Sequence, residues 1–301
     1  MKLQKLCLVG CICLLAWTVT VQAQQQNELK VFLIGNSFSQ NATRYLTKMA
    51  AEGGYKLTLG HAEPGGCSLQ RHWDSVAVSI KDPTRGKLYN GKSLKELLSV
   101  SKWDVITLQQ YSLLSADSAT YQPYADKLYA FIKQLQPQAK IYLQQTWAYR
   151  MDAINFGYVQ DKKRATNQKE MWSSSRAAYH RLAKRINASI FPVGDAFYSA
   201  STHPKWAFKK DETFEPKTAK EPALPIQTNS LNVGYTWKDG VLKFDPNHAN
   251  EAGCYLAGMV WYASLFGKNP QQLKFKPENV SDEFAVFLKE LAWKTVNTNA
   301  N

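Results

Sequence analysis

Residues 29–39 read Leu-Lys-Val-Phe-Leu-Ile-Gly-Asn-Ser-Phe-Ser, a mostly apolar run that stops on Gly35 and gives way to polar residues. A short, non-alternating apolar stretch bounded by glycine is the pattern of a strand buried on both faces. Beyond it Ala42, Tyr45, Leu46, Met49 and Ala50 recur at three- and four-residue spacing, which predicts a helix stopped by Gly53-Gly54. The alternation continues outward, with strands predicted at 55–59, 103–108, 141–143 and 189–193. Helices are predicted at 121–135, about 169–186, about 251–266 and 282–296. Strands alternating with helices imply an α/β fold, a parallel central sheet covered by helices on both faces. In such sheets the ligand crevice lies at the carboxyl ends of the strands, so polar residues placed there are the ones to weigh.

The first 23 residues carry Lys2 and Lys5, an apolar stretch, and Val21-Gln22-Ala23, which fits a signal-peptidase site. They predict an exported protein, periplasmic or extracellular, with no stable membrane insertion after cleavage. Leu8-Val9-Gly10-Cys11 also resembles a lipobox, so lipid anchoring at Cys11 stays open as the lesser alternative. The domain is expected to span 28–297, with an inserted loop around 198–240 that includes the Pro-, Lys- and Thr-rich stretch 214–228.

The formal net charge is +13, but the lysines are scattered and no nucleic-acid motif is present, so no nucleic-acid partner is expected. Three of the five cysteines leave with the signal, and Cys67 with Cys254 is too few for a disulfide scaffold. One bridge between them would tie two parts of the proposed site together. Sequons at Asn41, Asn187 and Asn279 fit a bacterial protein better than a glycosylated one, since a glycan on Asn41 would crowd Ser37. His61, Cys67 and His72 match no zinc spacing, so no metal is expected.

Ser37 sits where the first strand turns into a helix. Its hydroxyl therefore faces the crevice, and its amide lies at a helix start that favours developing negative charge. Phe244-Asp245-Pro246-Asn247-His248 supplies possible partners, because an Asp three residues before a His can accept from Nδ1–H and leave Nε2 for the serine. Asp195 is a second candidate acid.

These motifs, G-N-S-F-S near the start and D-x-x-H near the end, resemble the GDSL/SGNH hydrolase superfamily, in particular its secreted bacterial branch. The likeness spans roughly 29–267. It implies a single flavodoxin-like three-layer α/β/α domain in which Ser37 is the nucleophile, Asp245 the orienting acid and His248 the base. It also implies an oxyanion hole made by the Ser37 amide, a glycine after the second strand and a side-chain amide from a third block. Gly66 is preferred over Gly65 for the glycine. The third block, usually G-x-N-D, reads Leu108-Gln109-Gln110-Tyr111-Ser112 here, so the donor would be Gln109 or, failing that, Gln110.

The resemblance implies a carboxylic ester hydrolase needing no cofactor, acting on a short acyl ester, most naturally O-acetyl on a glycan. A lipid esterase or thioesterase, and a non-catalytic glycan-binding protein of the same fold, remain as alternatives. Trp73, Trp147, Trp206 and Trp237 are candidates to stack on sugar rings.

Overall fold

The computed structural model describes residues 28–299. The signal-peptide and lipobox readings lie outside the described residues. In chain order the elements are β1 (Glu28–Ile34), α1 (Ser37–Thr43), α2 (Leu46–Glu52), β2 (Lys56–Ala62), α3 (Leu69–Lys81), α4 (Leu94–Leu98), β3 (Val105–Leu108) and α5 (Tyr124–Leu135). There follow β4 (Lys140–Gln144), a small β5–β6 pair (Tyr158–Gln160 and Lys163–Arg164), α6 (Gln168–Ile186), β7 (Ser189–Phe191) and α7 (Val193–Ser201). A hairpin of β8 (Asn232–Lys238) and β9 (Val241–Ala249), then α8 (Glu251–Phe266) and α9 (Asp282–Asn299), complete the described residues.

Five strands pair in the order β2-β1-β3-β4-β7, and every pairing is parallel. This is the flavodoxin-like order, three layers with the switch point between β1 and β3, as the resemblance to SGNH hydrolases implied. Alternation along the strands divides the core in two. Val31 and Leu33 pack with α1, α2 and α8 on one face, while Phe32, Ile34, Ile106 and Leu108 pack with α3, α5 and α6 on the other. Each of these fully buried apolar side chains contributes roughly 1.5–3 kcal/mol, which is why a strand with no polar face is stable here.

Three differences from the periodicity reading have local causes. The single helix expected after β1 is two seven-residue helices, broken at Arg44-Tyr45. At the break the Thr43 hydroxyl donates to the Ser39 carbonyl, a back-bond that bends helices. The strand expected to reach Val193 ends at Phe191, because Pro192 has no N–H for the ladder and α7 starts immediately after it. Within the stretch expected as an inserted loop, 202–231 carries no helix or strand, but its two ends belong to α7 and β8.

Candidate active site

The Ser37 side of the site grows out of the switch point. Asn36 caps α1, its Oδ1 accepting from the Phe38 amide at 3.1 Å and from Gln109 Nε2 at 2.8 Å. Its Nδ2 donates to the Cys67 carbonyl at 3.0 Å. One buried asparagine thus holds together the ends of β1 and β3 and the loop after β2. Gly35 must lack a side chain, since a Cβ there would lie 2.2 Å from Ser39 Oγ and 2.9 Å from Gln109 Oε1. Below it His72, wholly buried, bridges Gly35 and Tyr89. A carbonyl only accepts, so Nε2 carries the proton to Gly35 O and Nδ1 accepts from the Tyr89 hydroxyl. Burial pushes this imidazole down to about 4, outweighing the opposing effect of the Gly35 bond.

The side that carries Asp245 and His248 stands on the hairpin. Asp239 and Gly240, with φ of 53° and 70°, form its tight turn. Asn232 pairs with Ala249 but Gly234 pairs with Asp245, so Pro246, Asn247 and His248 bulge out opposite Val233. The bulge aims His248 back at the sheet. Asp245 Oδ1 accepts from the amides of Asn247 and His248 at 3.2 and 2.9 Å, and Oδ2 lies 2.8 Å from His248 Nδ1.

Four bolts hold the bulge. Trp147 Nε1 donates to Asn247 O at 2.8 Å, the Arg150 amide to Pro246 O at 2.8 Å, the Ala249 amide to Asn41 Oδ1 at 3.1 Å, and Asn232 Nδ2 to Asn247 O at 3.4 Å. The Arg150 guanidinium grips Asp152 through both carboxylate oxygens and donates to Gln227 Oε1 and Ser230 Oγ. It lies over the rings of Phe208 and Phe244, the latter next to Asp245. Gly234, at φ 72°, passes so close that a Cβ would lie 2.2 Å from Arg150 Nη1.

Across these two sides Ser37 Oγ lies 2.9 Å from His248 Nε2. Asp245 can only accept, so His248 Nδ1 carries the proton and Nε2 is free to accept from the serine. Partial burial raises the Asp245 carboxyl, but bonds from the His248 ring and amide outweigh it and leave it below the ordinary value. The His248 and Asp245 side chains remain about a third exposed, at 37% and 35%.

A family model described as a domain of unknown function, DUF4886, matches residues 30–211, more than half of the sequence. The chain belongs to the DUF4886 family. A DUF4886 protein from Bacteroides uniformis ATCC 8492, known from a crystal structure, is 23% identical, with a TM-score of 0.67 over 90% of this chain and 95% of that one. A candidate SGNH hydrolase from Slackia heliotrinireducens gives 17% identity and a TM-score of 0.45, over 78% of this chain and 98% of its own. A phospholipase A1 from Streptomyces albidoflavus NA297 gives 12% and 0.40, over 77% and 97%. At these identities the likeness is one of fold. No curated protein matches the sequence. The matched DUF4886 region contains Ser37, Gly66, Gln109 and Gln110 but ends before the hairpin that carries Asp245 and His248.

Within this DUF4886 chain the expected oxyanion donors divide. Gly66 lies exposed at φ 60°, with the Tyr111 ring beside it, one residue before the Cys67 carbonyl that Asn36 holds. Gln109 and Gln110 are a correction. Both amide hydrogens of Gln109 are already donated, to Asn36 Oδ1 and Gln110 O, and its Oε1 accepts from Ser39 Oγ. The Gln110 amide donates to Thr120, while its oxygen accepts from the Leu69 and Tyr111 amides. Neither side chain has an N–H left for an oxyanion, so the third block braces the turn that presents Ser37.

The bridge left open between Cys67 and Cys254 is absent. Both are free, buried thiols, each donating to a nearby carbonyl, of Ser68 and of Ala249 respectively. Asp195 is engaged by Gln145, Trp172 and Arg176, away from His248. Trp147 is fully buried between Phe38 and Phe197, and Trp206 packs on Phe284 and Phe287, so neither is a platform for sugar. Trp73 lies under Lys127, and the Trp237 indole donates to Ala223 O. Among the described residues no group of three or more His, Cys, Asp or Glu side chains could hold a metal ion. No described helix is long and apolar enough to cross a membrane.

The sequence reading missed Asn36 as a brace and Arg150 as a clamp. A legible signal existed for the hairpin, Asp239-Gly240 flanked by alternating Tyr235, Trp237, Leu242 and Phe244.

Proposed function

We propose that this protein is an exported serine ester hydrolase that removes short acyl groups, O-acetyl foremost, from a glycan. The observation that carries the reading is the 2.9 Å contact from Ser37 Oγ to His248 Nε2, backed by the 2.8 Å contact from Nδ1 to Asp245. In the reaction the serine oxygen attacks the ester carbonyl as its proton passes to Nε2, and the imidazolium then gives that proton to the departing alcohol. Water, deprotonated by the same nitrogen, releases the acyl group from Ser37. The Ser37 and Gly66 amides are the donors assigned to the tetrahedral oxyanion, with Asn36 and Gln109 fixing the turn around them. These steps draw on side chains and amides alone.

Room for a bulky alcohol is supported by the exposure of the His248 and Asp245 side chains, while the short acyl group follows from the resemblance to carbohydrate esterases. Export is supported by the sequence of residues 1–23. Hydrolysis of p-nitrophenyl esters from acetyl to beyond about eight carbons tests the reading. Acetate should be released fastest, and acetate release from acetylated polysaccharide should exceed fatty-acid release from lipid. A reversed chain-length order would assign the protein to lipid hydrolysis, and inertness on every ester would leave a glycan-binding protein.

A further inference from the structure

The amides of Ser37 and Gly66 make no bond to any described residue and stay free for a substrate oxygen. A side-chain donor to complete the set is missing, because the amide hydrogens of Gln109 and Gln110 are spent on Asn36, Gln110 and Thr120. The next residue of the same block, Tyr111, carries an uncommitted one. Its hydroxyl has no hydrogen-bond partner among the described residues, its side chain is half-buried, and the oxygen itself is open to solvent. Neighbouring tyrosines differ, since the hydroxyls of Tyr89, Tyr121, Tyr149 and Tyr179 are tied to His72, Ser115, Ser112 and the Gln110 amide.

Position matters as much as availability. Asn36, the residue before Ser37, donates to the Cys67 carbonyl and accepts from Gln109 Nε2, so the serine turn is bonded to the residue after Gly66 and to the one two before Tyr111. The Tyr111 ring closes the remaining gap. A Cβ built on Gly66 would lie 3.7 and 3.8 Å from its Cε2 and Cζ and 4.0 Å from its hydroxyl oxygen, so the polar end of the ring stands over the Gly66 backbone. Donors that share one oxyanion each stand about 3 Å from it and are therefore near neighbours themselves. The ring hangs from a fixed backbone, the Tyr111 amide donating to Gln110 Oε1 at 2.9 Å and its carbonyl accepting from the Leu114 amide at 2.8 Å. On the far side burial pushes the Tyr149 hydroxyl up to about 12, and the nearby Tyr111 and Asp245 add to that rise, which sets Tyr111 toward the hairpin.

We propose that Tyr111 is a catalytic residue, its hydroxyl donating to the ester carbonyl oxygen as that oxygen becomes an oxyanion, with the proton staying on the phenol. The role rests on the esterase reading of Ser37 and His248. The test is Tyr111→Phe, which keeps the ring against Gly66 and removes only the donor. Because the hydroxyl makes no bond in the free protein, the melting temperature should not change. On p-nitrophenyl acetate kcat should fall about 10²-fold with KM nearly constant, the effect of losing one oxyanion donor. Phosphonylation of Ser37 by an alkyl fluorophosphonate, whose P=O oxygen takes the place of the oxyanion, should slow by a similar factor. A rise in KM at constant kcat would mark a contact made equally by substrate and transition state and overturns the role, as does a loss of kcat that phosphonylation does not share. Inertness of the unaltered protein on every ester overturns the esterase reading and this role with it, whereas an active protein indifferent to Tyr111→Phe overturns this role alone.

Discussion

The two halves of the site are built on different physics. Ser37 is presented by the parallel sheet, at the switch point, with Gly35, Asn36, Ser39 and Gln109 buried beneath it. Asp245 and His248 stand on a two-stranded hairpin outside that sheet, about a third exposed and attached by a few long-range bolts. The first half inherits its precision from the core, and the second must acquire it from Trp147, Arg150, Asn41 and Asn232. The Ser37 side should therefore tolerate little local change, while the side with Asp245 and His248 should come loose as a unit.

The comparison predicts that the sharpest loss without unfolding comes at the point where the halves meet. Ser37→Ala should lower kcat on p-nitrophenyl acetate by at least about 10³-fold with an unchanged melting temperature, and His248→Ala should match it. Combining them should add almost nothing further, because the residues act as one unit. Full additivity of the two would break the assignment.

Arg150→Met attacks only the hairpin side. It leaves Asp152, whose side chain is 5% exposed, without its bidentate partner, and a broken buried pair costs about 3–5 kcal/mol. Chemical denaturation should show that loss, with kcat falling while KM changes less. Unaltered stability would show that the clamp does not hold the hairpin.

Acid should attack the other half, through His72. Its folded-state value of about 4 lies below the ordinary 6.5, so the unfolded chain takes up the proton first as the pH falls. The stabilisation is fully present above pH 6.5 and is lost progressively down to pH 4, by roughly 3 kcal/mol in all. Melting curves of the unaltered protein and His72→Asn should converge in that window. Parallel curves would place the acid sensitivity elsewhere.

The smallest expected effect is at Gly234→Ala, on the hairpin again. The positive φ and the contacts with Gln227 and Arg150 should destabilise by about 1–3 kcal/mol, with activity falling in proportion. A neutral outcome would mean that Gln227 and Arg150 move aside freely.

The same contrast explains what could be read from the chain. The buried strand 29–34 and its serine turn were legible because parallel strands announce themselves as short apolar runs, and the period of Ala42 to Ala50 marked the helical segment even across the break at Arg44-Tyr45. Asp245 and His248 were legible as a spacing, but their strand was not, because the bulge at Pro246–His248 interrupts any alternation. Gln109 and Gln110 were misassigned for a different reason. Which way an amide points depends on partners such as Ser39, Asn36 and Thr120, scattered along the sequence. Arg150 reads as an ordinary basic residue until Phe208, Gln227 and Phe244 are brought around it.

Trp147 touches both halves at once, with its ring against Phe38, the residue after the serine, and its N–H on Asn247, the residue before the histidine. Indole emission responds to hydrogen bonding and to the entry of water, so this side chain is an optical gauge wired across the seam. The difference between the spectra of the unaltered protein and Trp147→Phe isolates its signal from the other tryptophans. Followed during mild denaturation, that signal should shift before far-ultraviolet circular dichroism changes, timing the departure of the hairpin from a sheet that is still intact.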